Sequence, residues 1–275
     1  MNKIFLILAA GFAALTMQAQ QPYQSIPMEI WPGKIPGKSE KKAPHVFQKD
    51  NEHIDVVTTP TLELFKPSEE KKNNQAIVVC PGGAYRLLAY VKEGQEIAKW
   101  LTEQGYTVYV LAYRVPGNRE GALQDVFRAI RIVRSKGFEK VGLIGFSAGA
   151  SLSCRAATRW KEDLYPAQDK ADKLSQRPDY AMLIYPAYLD EGENHTLSPE
   201  LTVNKETCPL FVWGTQDDKS YGAPSSLTIL QAMVQHGAPI ELHFQVKGGH
   251  GYGMRGEGAA KIWPKLAEEW LKAQR

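Results

Sequence analysis

The sequence predicts an α/β protein with a mostly parallel central sheet and helices on both faces. Three observations predict it. Apolar strand-like runs alternate with helical stretches of 10 to 15 residues from residue 76 onward. Several of those runs are apolar throughout, as a strand buried on both faces requires. No internal repeat, low-complexity block or linker divides them, so one domain accounts for the pattern.

The elements follow in order. Thr61-Leu62-Glu63-Leu64-Phe65 alternates and is closed by Lys66-Pro67, which fits an edge strand. Ala76 to Cys80 is a short apolar run with turn residues behind it. Glu93 to Gln104 has helical period, with Ile97, Trp100 and Leu101 on one face and Gly105 as its stop. Tyr106 to Ala112 is the next strand. Ala122 to Lys136 reads as a helix with Val126, Ile130 and Val133 inward and Arg128, Arg131 and Arg134 outward. Val141 to Phe146 leads into a small-residue helix from Ala148 to about Trp160. Tyr180–Tyr185, Leu210–Trp213 and Ile240–Val246 are further strands. Ser225–His236 and Lys261–Ala273 are further helices, the second tolerating Pro264 only in its first turn. Lys161 to Arg177 is polar and too short to be a domain.

Composition narrows the class of partner. Net charge is +3 with acids and bases interleaved, which leaves no electrostatic footprint for nucleic acid or an anionic membrane. Residues 1–20 read as a signal peptide: Asn2-Lys3 precedes an uncharged apolar run from Ile4 to Met17. That run is shorter than the roughly 20 residues a bilayer span needs, so stable membrane insertion is not expected and export is. Residues 21–53 form an N-terminal extension and 54–275 the catalytic domain. Cys80, Cys154 and Cys208 are odd in number, which rules out a fully paired framework; buried free thiols are expected of Cys80 and Cys208.

Chemistry gathers at three places. Gly145-x-Ser147-x-Gly149 lies where a strand ends and a helix begins, the setting in which a serine sits on a sharp turn above the sheet edge. A hydroxyl needs a base before it can act as a nucleophile. Of the six histidines, only His250 lies in a glycine-flanked loop just beyond a strand; His45, His53, His195, His236 and His243 do not. The acid that orients the base is expected in Gly214-Thr215-Gln216-Asp217-Asp218, at the end of a strand. Asp217 is favoured for that role, with Asp218 capping the next turn or binding loop amides. The loop Cys80-Pro81-Gly82-Gly83-Ala84-Tyr85 offers the Gly83 and Ala84 amides as an oxyanion hole, joined by that of Ala148. Tyr85, Trp213 and Tyr252, beside these segments, are candidates to stack on sugar rings or simply to wall the pocket. No metal-ligand spacing and no phosphate-binding glycine motif is present, so no cofactor or metal is implied.

Taken together, Pro81-Gly82-Gly83-Ala84-Tyr85, Tyr113-Arg114-Val115, the helix from Ala122 to Arg131, the Gly145–Gly149 turn, Gly214–Asp218 and Gly249-His250-Gly251 resemble the bacterial esterase/lipase group of α/β hydrolases. That group includes proteins called acetyl xylan esterase-like, and the resemblance spans roughly residues 54 to 273. It implies the α/β-hydrolase fold, Ser147 as nucleophile, Asp217 as acid, His250 as base, and Gly83, Ala84 and Ala148 as oxyanion donors. It also implies hydrolysis of a carboxylic ester through an acyl-enzyme, on a small-molecule or oligosaccharide ester such as acetylated plant polysaccharide. The chain departs from the group at Ala84, often a third glycine there, and at Trp213, where histidine is common. A serine peptidase of the prolyl oligopeptidase kind and a non-catalytic carbohydrate-binding protein on the same fold are the alternatives. The oligomeric state has no signature in the sequence.

Overall fold

A computed structural model describes residues 23–24, 26–37 and 45–275. The expected leader, residues 1–20, lies outside the described residues. The strands are β1 (Thr61–Lys66), β2 (Gln75–Cys80), β3 (Thr107–Ala112), β4 (Lys140–Phe146), β5 (Ala181–Ile184), β6 (Leu210–Thr215) and β7 (Ile240–Gln245). They stand in the order β1-β3-β2-β4-β5-β6-β7, and two short segments, Tyr23–Gln24 and Met28–Glu29, pair with β1. Only β1 and those two segments are antiparallel; every other neighbouring pair in this sheet is parallel. Strands β2, β3 and β6 are buried along their whole length, which is why they read as unbroken apolar runs.

Among the described residues five α-helices cover the two faces: α1 (Glu96–Glu103), α2 (Arg119–Arg134), α3 (Ala148–Thr158), α4 (Gly222–Gln235) and α5 (Trp263–Ala273). From β2 the chain crosses through α1 to β3 on one side, then returns through α2 to β4 on the other. The order of strands therefore reverses at β2 and β4. In such sheets the crevice outside the carboxyl ends at the reversal is where ligands bind. The helix expected from Glu93 starts differently: Val91–Gln95 forms a π-helical turn that runs into α1.

One expectation about α2 fails. Arg128 was expected to point outward, yet it is 2% exposed. Its Nε donates to the Ile30 carbonyl at 2.9 Å, and its guanidinium pairs with Asp169 and with Asp172. The cause is that residues of the N-terminal extension and of the polar stretch 161–177 pack over the outer side of α2. Ile30 and Trp31 are buried there, with Trp31 Nε1 donating to Asp125 Oδ1 at 2.8 Å. Asp125, itself buried, pairs with Arg114 at 2.9 Å. Helical period marks a face, but cannot say whether a second layer will cover the other one. Cys80, Cys154 and Cys208 are free and buried. Burial pushes the Cys80 and Cys208 thiols up to about 12.

Asp169 links this covering layer to α2. Hydrogen bonds from Arg128 hold its carboxyl at about 2, and it also accepts from the Ala171 amide at 2.8 Å. A depressed folded-state pKa adds stability that is present above the ordinary carboxylate range and is lost as pH falls through the folded value. With 40% of the Asp169 side chain exposed, screening leaves about 1 kcal/mol for Asp169→Asn to remove at pH 7. Urea denaturation should show that gap between wild type and variant narrowing as pH falls from about 4 towards about 2.

Candidate active site

Close backbone approach makes the turn at Ser147 possible. A Cβ on Gly145 would collide with the Gly149 carbonyl, and one on Gly149 with the Cys80 carbonyl. Only with both positions bare can β4 turn into α3 against the end of β2, whose Cys80 lies in register with Gly145. Ser147 takes the strain of the turn, with φ 51° and ψ −117°. Such a conformation costs a non-glycine residue on the order of 1–3 kcal/mol and persists only where the surroundings enforce it.

The turn brings Ser147 to His250. Ser147 Oγ lies 2.7 Å from His250 Nε2, and His250 Nδ1 lies 2.6 Å from Asp218 Oδ2. His250 keeps 15% of its side chain exposed, whereas Asp218 keeps 2%. Burial works to raise the Asp218 pKa. The His250 hydrogen bond and charge, with the Tyr221 and Ser220 amides, outweigh it and hold the carboxyl below its usual range. Those amides reach Asp218 Oδ1 at 3.1 and 2.9 Å, so one carboxylate both holds the imidazole and closes the next turn.

This corrects the expectation that Asp217 would face His250. Asp217 instead accepts from the Gly248 and Gly249 amides, both at 2.9 Å. The Gly249 amide is the chief cause that lowers its pKa. Asp217 thus takes the loop amides, while Asp218 caps the next turn as expected and also holds the imidazole. Successive side chains leave a chain in different directions, and no periodicity beyond the end of β6 says which one turns inward.

The amides of Gly83, Ala84 and Ala148 have no hydrogen-bond partner within the protein among the described residues. Ala148 opens α3, where the first N–H groups of a helix have no internal acceptor and favour negative charge. Gly83 and Ala84 join Ser147, His250 and Tyr221 in lining a cavity of about 290 Å³. Of the three aromatic candidates, Trp213 is corrected: it is 0% exposed, and its Nε1 donates to Tyr252 Oη at 2.6 Å. It lies within β6 among packed neighbours, so no sugar reaches it. Tyr85 is likewise buried, its hydroxyl donating to Ser151 Oγ at 3.4 Å. Tyr252 is half-buried against Tyr185, ring centroids 4.7 Å apart. Tyr221, which sequence reasoning missed, stands over the site with its ring centroid 5.3 Å from that of His250. Its hydroxyl meets that of Tyr188 at 2.6 Å.

Glu93 was also missed. It is buried in the wall of the cavity, Oε2 accepting from the Gly82 amide at 2.9 Å and Oε1 from the Tyr185 hydroxyl at 2.8 Å. Tyr185 Oη in turn accepts from the Gly253 amide at 2.8 Å. One carboxyl thus ties the loop of the free amides to the loop of His250. Burial pushes the Glu93 pKa up, opposed first by the Tyr185 hydrogen bond. Its only signal in the sequence is an acidic residue at the start of the helical stretch from Glu93.

Similarity to known proteins agrees with this architecture. The BD-FAE family model matches residues 62–180. An acetylxylan esterase of Xylanibacter ruminicola is 32% identical over 165 residues, covering 57% of this chain and 30% of that protein. The endo-1,4-beta-xylanase B of Butyrivibrio fibrisolvens is 26% identical over 222 residues, covering 70% of this chain and 34% of that one. The chain thus spans about a third of the length of the curated relatives it matches. Among solved structures, an acetyl ester-xyloside bifunctional hydrolase from Caldicellulosiruptor lactoaceticus superposes with a TM-score of 0.72 at 29% identity, covering 90% of this chain and 96% of that one. An alpha/beta hydrolase from a deep-sea metagenome superposes with a TM-score of 0.65 at 25% identity, covering 79% and 93%. With the sheet order and the turn at Ser147, these matches give the chain the α/β-hydrolase fold, similar over residues 62–180 to the BD-FAE family.

Proposed function

We propose that the protein is a serine esterase that hydrolyses carboxylic esters through an acyl-enzyme and removes acetyl groups from plant polysaccharide or its oligosaccharides. The observation that carries the reading is the relay from Ser147 Oγ through His250 to Asp218, with bonds of 2.7 and 2.6 Å. The similarity to an acetylxylan esterase and to an acetyl ester-xyloside hydrolase supports the ester and its carbohydrate context. The apolar leader suits work outside the cytoplasm.

In this mechanism His250 Nε2 takes the proton as Ser147 Oγ attacks the ester carbonyl carbon. The carbonyl oxygen becomes an oxyanion, received by the Ala148 amide and by those of Gly83 and Ala84. Asp218 stabilises the imidazolium through Nδ1. Collapse of the tetrahedral intermediate breaks the bond to the alcohol oxygen, which takes the proton from His250. Water then attacks the acyl-serine with His250 as base, releasing the acid and restoring the hydroxyl. Glu93 is a positioning residue: it sets the spacing between the oxyanion donors and the base without touching the ester.

Hydrolysis of p-nitrophenyl acetate and acetate release from acetylated xylan test the reading. Ser147→Ala is expected to lower kcat by roughly 10⁵–10⁶; activity that survives it would overturn the mechanism. Asp218→Asn should cost roughly 10³–10⁴ in kcat. Asp217→Asn should cost less than about tenfold in kcat, because its bonds to the Gly248 and Gly249 amides do not touch the imidazole. Equal losses in the two aspartate variants would refute the assignment.

Glu93→Gln gives a separate check. A glutamine presents one acceptor oxygen, so either the Gly82 amide or the Tyr185 hydroxyl faces an NH₂ group. An unsatisfied buried donor costs about 1–3 kcal/mol, readable in urea denaturation. A positioning role further requires kcat on p-nitrophenyl acetate to fall more than KM rises.

A further inference from the structure

Around the mouth of the cavity over Ser147, acids and bases are unevenly matched. Arg86 and Lys92 both line it, Arg86 exposed and Lys92 half-buried. Among the described residues neither side chain has an ion-pair or hydrogen-bond partner. They sit close to the reacting groups. The positive charge of Arg86 is felt by the Tyr221 phenol, and that of Lys92 by the Glu93 carboxyl.

The acids nearby are already engaged. Glu52 and Glu96 both pair with Arg255, at 3.0 and 2.5 Å, and Asp50 pairs with His53 at 2.7 Å. Asp218 holds His250, and Asp217 is occupied by loop amides. Glu93 lines the cavity, but both its oxygens are held by Gly82 and Tyr185. Other arginines of the chain, such as Arg128, Arg134, Arg155 and Arg159, have carboxylate partners. Two cations outside any ion pair among the described residues, in a concave site that excludes part of the water, favour an anionic group on whatever enters.

We propose that the substrate carries a carboxylate, as a uronic acid on the saccharide, and that Arg86 and Lys92 bind it while the ester sits at Ser147. This rests on the esterase reading and adds the class of saccharide to it. Arg86 supplies a planar fork suited to two carboxylate oxygens, and Lys92 a point charge on a flexible stem. The Tyr221 ring, which lines the cavity with its centroid 5.3 Å from that of His250, offers a flat face against which a pyranose packs.

The test is a ratio of kcat/KM values for two acetylated xylo-oligosaccharides of equal length, one bearing a glucuronic acid branch and one neutral. At low ionic strength the wild type should favour the acidic substrate by about tenfold or more, the effect of one charge-assisted hydrogen bond. The gain should lie mainly in KM, and should shrink in 0.5 M salt as screening sets in over about 4 Å. In Arg86→Gln/Lys92→Gln, with its fold checked by circular dichroism and thermal denaturation, the ratio should fall towards one. A ratio near one in the wild type overturns the inference, and so does a high ratio that the double variant keeps. p-Nitrophenyl hemisuccinate against p-nitrophenyl butyrate separates the two sources of a carboxylate; a preference for hemisuccinate alone would place it on the acyl group and overturn the uronic acid. Absence of turnover on every ester, p-nitrophenyl acetate included, would instead overturn the esterase reading and this inference with it.

Discussion

The contact on which the site depends is the approach of the α3 N-terminus to the end of β2, where Gly149 lies against the Cys80 carbonyl. Bringing two backbones that close leaves no room for a side chain at either Gly145 or Gly149, and forces Ser147 into a positive φ. Once made, the contact sets the serine hydroxyl and the Ala148 amide beside the loop that follows β2. Reacting atom and oxyanion donors are thereby placed by backbone packing, before any side chain is chosen. Strain at one residue is tolerated because the sheet on one side and the helix on the other leave it no alternative.

Such a frame fixes β2 and β4 but says nothing of the His250 loop, which follows β7 at the sheet's far edge. Buried polar groups make that connection. Gly253 donates to Tyr185, Tyr185 to Glu93, and Gly82 to the same carboxyl, while Trp263 Nε1 holds the Gly253 carbonyl at 3.0 Å. Each of these groups is satisfied, so the cost of burying them is offset and the two loops are held in one geometry. Asp217 completes the work from outside by gathering the Gly248 and Gly249 amides.

What the sequence revealed, and what it hid, follows from the range of the interactions involved. Strands β2 and β6 were legible because burial on both faces leaves unbroken apolar runs. The turn at Ser147 was legible because a backbone contact demands glycine at fixed spacing. His250 stood out because its loop is glycine-rich. Asp217 and Asp218 are adjacent and chemically identical, and only the path of the loop decides which one meets the imidazole. Glu93 was missed, and Arg128 and Trp213 were misread, for a shared reason: their environments are made by residues distant in the chain. Tyr185 stands 92 positions from Glu93, and Ile30 stands 98 from Arg128. Trp213 looked available because it lies beside the Gly214–Asp218 segment, whereas β6 is buried along its whole length.

The same division explains where discrimination between substrates can reside. Ser147, Asp218, Glu93, Tyr185 and Trp213 are buried and each is hydrogen-bonded within the frame, so changing one disturbs it. The segment from Ala84 to Lys92 is different. Its backbone is anchored by Gly82, by Glu93 and by the bond from the Leu88 amide to the Ile54 carbonyl at 2.8 Å. Arg86 and Lys92 nonetheless line the cavity without an ion-pair or hydrogen-bond partner among the described residues. An anchored backbone bearing unpaired side chains can alter what is bound while leaving the reacting geometry in place. Charge at these two positions can therefore tune the choice of ester independently of the bond that is broken.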